Sequence, residues 1–312
     1  MLTMVRKARK DLITQYYKLA QPASYTSQTK LKKVYHGKRN VKDWLKNQKT
    51  QQLHKPIKLN FRRVYTYAPN VDYLWQIDLT FLRDLKHFNK GNQYLLACID
   101  VFSKYAWVIP IKNKSAESVL EAFKIILSKG RKPLKIQSDK GTEFENHLFQ
   151  KFLKKNNIHF YTSKNYDIKA AVVERFNRTL KIKMYKYFTA KKTKKYINIL
   201  DSLVSSYNNT YHRSIGMTPN KASQITSSKE RLKIFNRLYP VREKDRNILK
   251  KGDRVRVSKL RKTFRKGYLA NWSEEIFTIY RVFNTTPSLY QLIDRNREKI
   301  DGRFYFNELQ KV

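Results

Sequence analysis

Residues 74–82, LWQIDLTFL, read as an apolar strand that holds Asp78 at its end, and two later stretches place acids in comparable settings. Residues 136–144, IQSDKGTEF, place Asp139 at the end of a second apolar run, before the tight turn Lys140-Gly141. Residues 170–181, AAVVERFNRTLK, place Glu174 on an amphipathic helix. The first two read as strands and the third as a helix. In a chain with 67 Lys and Arg against 24 Asp and Glu, three acids in such settings need a chemical reason. If the strands lie side by side and the helix crosses the same edge, the acids converge. Without a cation they would repel and raise one another's pKa, so such a site suits a divalent metal. Hard oxygen donors favour Mg²⁺ or Mn²⁺ over zinc. Two such ions, roughly 3.5–4 Å apart, serve in-line displacement at phosphodiesters.

The helix adds to this pattern. Val173, Phe176, Leu180, Met184 and Tyr187 make an apolar stripe, while Glu174, Asn177, Arg178 and Lys181 occupy another face. An acid followed along its face by an amide and two cations can grip a nucleic-acid strand next to a metal. The alternative is a solvated face with a Glu–Arg pair four residues apart.

Outward from these segments the chain divides into four parts. Residues 1–66 are basic and aromatic, with helical periodicity around 4–18, 27–36 and 40–48; Trp44 and Leu45 suit its core, and His36 and His54 read as surface or turn residues. Residues 67–225 alternate strands and helices. LWQIDLTFL, QYLLACIDVF and YAWVIPIK are consecutive strands; SAESVLEAFKIILSKG is a helix capped by Ser115 and stopped at Gly130. A strand LKIQSD, a helix HLFQKFLKKNN and a strand IHFYTS follow, then the helix 170–187 and another over 194–211. This predicts an α/β domain with a mixed sheet of five strands. Residues 226–250 read as a partly helical linker. Residues 251–312 carry short strands (DRVRVSKL, EEIFTIYRVF, SLYQLID, RFYFNELQKV), which suit a small β-barrel with Trp272, Phe277 and Tyr290 inside. Its first half presents Arg254, Arg256, Lys259, Arg261 and Lys262, a wall suited to DNA.

Composition points the same way. A net charge of +43 over 312 residues calls for a polyanionic partner, DNA or RNA, bound with steep salt dependence. The single cysteine, Cys98, sits in an apolar run and reads as a buried structural thiol. It rules out an intramolecular disulfide and a Cys-rich zinc site. The sequence shows no uninterrupted apolar stretch of membrane-spanning length, so no membrane partner is expected.

At these motifs the chain resembles the retroviral-integrase superfamily, most closely the integrases of Maverick/Polinton DNA transposons and virophages. The resemblance runs through WLKNQKTQQLHKPIKLNFRR, DYLWQIDL, IDVFSKYAWVIPIKNKS, IQSDKGTEFEN, DIKAAVVERFNRTLK, YNNTYHRSIGMTP and the segment from KGDRVRVSK to FYFNELQKV. It implies a multidomain protein with an RNase H-like catalytic core, a helical basic amino-terminal module and an SH3-like barrel. It also implies that Asp78, Asp139 and Glu174 are the catalytic metal ligands, for two Mg²⁺ or Mn²⁺ ions and no zinc. Asn177, Arg178 and Lys181 fall where such enzymes hold the element's DNA end. The implied reaction frees a 3′-hydroxyl at the element terminus and joins it to target DNA, by a multimer working in the host nucleus, with carriage in a virion an added possibility of the group. Departures are also visible. Asp139 and Glu174 are separated by 34 residues, one fewer than the usual retroviral spacing, and the loop 163–169 lacks Pro and Gly. The His-His-Cys-Cys zinc module is absent.

Further acids near the site, Asp84, Asp100 and Glu143, read as structural or solvated, His212 as a loop-packing or DNA-backbone residue, and Gly141 as a backbone shape that side chains disfavour. Two other functions stay open at this stage: a related nuclease that cuts without joining, and a non-catalytic DNA-binding or packaging protein.

Overall fold

The computed structural model describes residues 12–35, 41–58, 61–139, 141–162, 170–241, 249–259 and 269–312. His36, Arg261, Lys262 and the loop 163–169 lie outside the described residues. The chain forms two compact units: Val64–Glu243, and a second built from both ends, Met1–Arg63 with Lys244–Val312.

The first unit centres on β1 (Leu74–Phe81), flanked by β2 (Tyr94–Asp100) and β4 (Lys135–Ser138), with β3 (Ala106–Ile111) and β5 (His159–Thr162) at the edges. β1 to β3 are antiparallel neighbours, whereas β4 and β5 run parallel to β1, so the sheet is mixed as expected. Every residue of β2 is buried, because helices cover both faces. Trp75, Ile77, Leu79, Leu96 and Cys98 pack one way, against α4 (Ala116–Leu127) and α6 (His147–Lys155). Leu95, Ala97, Ile99 and Val108 pack the other way, against α7 (Ala171–Lys191) and α8 (Leu200–Asn208). Cys98 is fully buried, as its apolar setting predicted.

Several expectations needed adjustment. The helix expected over 194–211 starts only at Leu200. The side-chain oxygen of Asn89 captures the backbone N–H groups of Tyr196 (2.6 Å) and Ile197 (3.2 Å), and Tyr196 is buried, so this stretch is held as turns. The apolar stripe of α7 ends on buried Phe188, with Tyr187 only partly buried beside it, and the helix closes at Lys192 in the left-handed region (φ 49°). Part of the expected linker belongs to this unit: α10 (Ser228–Leu238) buries Ile234 against Ala68, Phe102 and Ile215. The Tyr239 hydroxyl accepts from the Ala68 N–H (2.8 Å) and donates to the Thr66 carbonyl (3.0 Å).

The turn after β2 holds a buried ionic knot. Asp100 accepts from the backbone N–H groups of Phe102 and Ser103, from the Ser103 hydroxyl, and from Arg131 at 3.0 Å. Arg131 also forks onto Asp72 and lies over the rings of Trp75, Tyr105 and Trp107. Asp100 is therefore structural, as read from sequence.

In the second unit, α1 (Gln28–Val34) and α2 (Val41–Lys46) bury Leu31, Val41 and Leu45 with Tyr16, and Trp44 packs edge-on to Tyr16. The carboxy-terminal strands β6 (Arg254–Val257), β7 (Phe277–Phe283), β8 (Leu289–Ile293), β9 (Phe304–Tyr305) and β10 (Leu309–Lys311) form an antiparallel sheet in the order β10-β6-β7-β8-β9. Trp272 and Tyr290 are buried and Phe277 packs against the sheet's core, in line with core roles. The two ends of the chain are bonded together. The Leu53 carbonyl at the end of α3 (Lys49–His54) accepts from the N–H groups of Asn271 (2.7 Å) and Trp272 (3.1 Å). The Trp272 indole donates to the Lys55 carbonyl at 2.8 Å. No helix among the described residues is long and apolar enough to cross a membrane.

Candidate active site

Strand alternation positions the first acid. Trp75, Ile77 and Leu79 point into one core layer, so Gln76, Asp78 and Thr80 face the layer of α7. Asp78 lies within β1 and not at its end, half-buried between Ile77 and Leu79. Asp139 directly follows β4, the parallel neighbour of β1, and Glu174 lies in the first turn of α7.

The three carboxylates interact. Burial lifts the Asp78 carboxyl from its ordinary 3.8 to about 6, and the charges of Asp139 and then Glu174 push the same way. The Leu79 backbone N–H and the Asn177 amide, which donates to Asp78 Oδ2 at 2.8 Å, oppose the rise. Asp139 Oδ1 in turn accepts the Ala170 N–H at 3.0 Å. Among the described residues no three His, Cys, Asp or Glu side chains form a ready-made metal cluster. The chemistry still fits a hard divalent cation. All the acids present oxygen, neighbouring carboxylates and burial disfavour the charge on Asp78, and the buried Asn177 Oδ1 beside it has no hydrogen-bond partner among the described residues.

The expected nucleic-acid contacts divide. Arg178 is exposed and Lys181 half-buried on α7. Asn177 is only 7 % exposed and is turned inward onto Asp78, because its place on the helix falls beside Val173 and Phe176. It therefore orients an acid and does not reach out to a strand. Arg254 and Lys259 are exposed. Arg256 corrects the expectation of a DNA contact: it is 4 % exposed, and its guanidinium donates to Gln52 Oε1 and to the carbonyls of Ser273 and Glu274. Along β6 it shares a face with exposed Arg254, while Val255 and Val257 face the core, so Arg256 is enclosed by the residues it bonds and not by its place in the alternation.

Of the other candidates, Asp84 is exposed. The Glu143 carboxylate packs against Gly141, where an added Cβ would meet it at 2.7 Å. Gly141 has an ordinary extended backbone (φ −127°), so no special backbone shape requires the glycine, and the flexible Glu143 carboxylate could move away from a side chain there. His212 pairs with Met217 through the backbone and with Ser214 Oγ at 3.0 Å through Nδ1. Burial, with Lys104 and Arg175 nearby, lowers it to about 4, which keeps the imidazole neutral and supports loop packing. Sequence reading passed over Gln76 and Gln137, two buried amides in otherwise apolar strands. The strict apolar–polar alternation from Trp75 to Thr80 was the available signal.

A mixed sheet in the order β3-β2-β1-β4-β5, with acids on β1, after β4 and on α7, is the RNase H-like arrangement of the integrase catalytic-core class. Residues 68–167 match the integrase core domain family. A transposon-derived protein of Caenorhabditis elegans is 34% identical over 206 residues, which span 66% of this chain and 68% of that protein. The Ty1-DR4 Gag-Pol polyprotein of Saccharomyces cerevisiae is 35% identical over 98 residues, 30% of this chain and 6% of the polyprotein. Among solved structures, the simian T-cell lymphotropic virus intasome in complex with PP2A regulatory subunit B56 gamma matches with a TM-score of 0.66 and 17% identity. That match covers 92% of this chain and 95% of the other, and at such identity the likeness is one of fold. The chain belongs to the integrase core family, with transposon-derived relatives.

Proposed function

We propose that this protein is a DNA integrase of a mobile or viral element, of the Maverick/Polinton and virophage kind, acting in the host nucleus. The observation that carries the reading is the electrostatic convergence of Asp139 and Glu174 on a half-buried Asp78. In this reading Asp78, Asp139 and Glu174 hold two Mg²⁺ or Mn²⁺ ions. When bound, such ions activate an attacking oxygen and stabilise the leaving one. The chain's own residues do the rest. Asn177 fixes the orientation of Asp78 through its amide. Arg178 and Lys181 lie one and two turns beyond Glu174 and bind phosphates of the element's DNA end. Arg254 and Lys259 extend the contact from an SH3-like terminal domain.

In the first step a water oxygen bonds to the phosphorus near the element terminus and the P–O3′ bond breaks, leaving a 3′-hydroxyl. In the second, that hydroxyl attacks a target phosphodiester; one P–O bond forms as another breaks, and the target strand's own 3′-hydroxyl departs. No external energy source is consumed, so positioning must supply much of the rate. Joining two ends together requires a multimer on DNA; the likeness to an intasome chain supports this.

The test is joining of element-end oligonucleotides to plasmid DNA by the full chain with Mg²⁺ or Mn²⁺. Asp139→Asn is expected to cut turnover on the order of 10³-fold or more while DNA binding persists. Cleavage without joined products would favour the nuclease reading. Full activity in Asp139→Asn would overturn the site, and an inert wild-type protein that still binds DNA would favour a binding or packaging role.

A further inference from the structure

The side chain of Gln76 is fully buried two residues before Asp78. Its Nε2 donates to Gln137 Oε1 at 2.9 Å; Gln137 is its register partner on β4, two residues before Asp139. Its Oε1 accepts the backbone N–H groups of Val172 (2.9 Å) and Val173 (3.1 Å), in the first turn of α7. The N-cap residue of that helix, Ala170, offers no side-chain cap, so Gln76 supplies one from the sheet. One amide thus touches the three elements that carry the three acids.

Two further ties hold the start of α7 to the sheet, Ala170 N–H to Asp139 and Asn177 to Asp78. Both end on the carboxylates that would hold a cation, so their geometry would change with its binding. The Gln76 tie involves no carboxylate. We infer that Gln76 is a positioning residue that keeps the first turn of α7, and with it Glu174, in register with Asp78 and Asp139 when those carboxylates are engaged elsewhere. This inference rests on the integrase reading of the same site. The competing view is a buried amide pair that merely satisfies itself.

Replacing both amides separates the two. In Gln76→Leu/Gln137→Leu neither strand keeps an orphaned polar side chain, so folding is largely retained, while the Val172 and Val173 N–H groups lose their acceptor. Gln76→Glu keeps an acceptor at the helix start, where negative charge is favoured, and Gln137 can rotate its amide to donate. Three quantities are read in the full chain: amide exchange at residues 172–174 without metal, the Mn²⁺ concentration giving half of the metal-induced rise in Tm, and joining kinetics. In the double variant, exchange should quicken about tenfold or more. Half-saturating Mn²⁺ should rise, and joining turnover should fall on the order of 10- to 100-fold with KM for DNA little changed. Gln76→Glu should restore most of the turnover.

Faster exchange with unaltered turnover and unaltered Mn²⁺ half-saturation would overturn the inference, as would unchanged exchange. If the wild-type protein joins no DNA, the integrase reading fails by itself, and Gln76 stands or falls on exchange and Mn²⁺ half-saturation. Should the double variant not fold, Gln76→Met carries the same readouts.

Discussion

Asp78 shows how a single residue stores cost at a site meant for charge. Its carboxyl is raised from 3.8 to about 6, first by burial and then by Asp139 and Glu174. Below pH 3.8 folded and unfolded chains both hold the proton, and above about 6 both have lost it, with the folded form carrying the penalty. Stability contributed by this group is therefore lost as pH rises from about 4 to 6. Asp78→Asn is expected to stabilise the metal-free protein at pH 7 by roughly 1–3 kcal/mol and to give little or no gain near pH 4. Chemical denaturation at the two pH values checks this, and the same variant should not join DNA. Under the proposed role of Asp78 as a metal ligand, such a cost to the fold is what preorganisation for a cation predicts.

At the scale of elements, the strands around the site are pinned by the knot of Asp72, Asp100 and Arg131. Arg131 contacts both acids and three aromatic rings, and Asp100 is completely enclosed. Removing Arg131 takes away the cation bonded to Asp100 and leaves that buried carboxylate with only the charge of Lys104 acting on it. Arg131→Met should cost about 3–5 kcal/mol in urea or guanidinium unfolding. A loss below about 1 kcal/mol would mean that hydrogen bonds from Ser103 and Phe102 suffice for Asp100. The helix over 116–127 and the helix carrying Glu174 were legible in sequence by their period of 3.6, β1 by its alternation, and β2 as a continuous apolar run bounded by turns. The late start of α8 was not, since Asn89 takes its first N–H groups from more than a hundred positions away.

Across the whole molecule, the amino-terminal helices and the carboxy-terminal sheet, expected as separate modules, cluster as one unit. The bonds from Leu53, Lys55 and Gln52 to Asn271, Trp272 and Arg256 explain why. Residues 244–312 expressed alone would expose these donors and, at that size, bury little apolar surface. That fragment is expected to lack a cooperative urea transition, whereas residues 64–243 retain one; circular dichroism of both distinguishes the outcomes. An independently folded 244–312 would show that the contacts with the amino-terminal segment are incidental.

Sequence alone determined the mixed sheet, the three acids and the basic character of the chain, because periodicity and composition are local properties written residue by residue. It also held, in the alternation from Trp75 to Thr80, the hint that Gln76 shares a face with Asp78. Only the tertiary structure decided which polar groups look outward. Asn177 and Arg256 read as DNA contacts by type and spacing, yet both are enclosed and bonded to distant partners, Asp78 and Gln52. The physical reason is that a buried polar group must find its partner wherever the fold brings one, and that partner's position in the chain is not encoded in any local pattern.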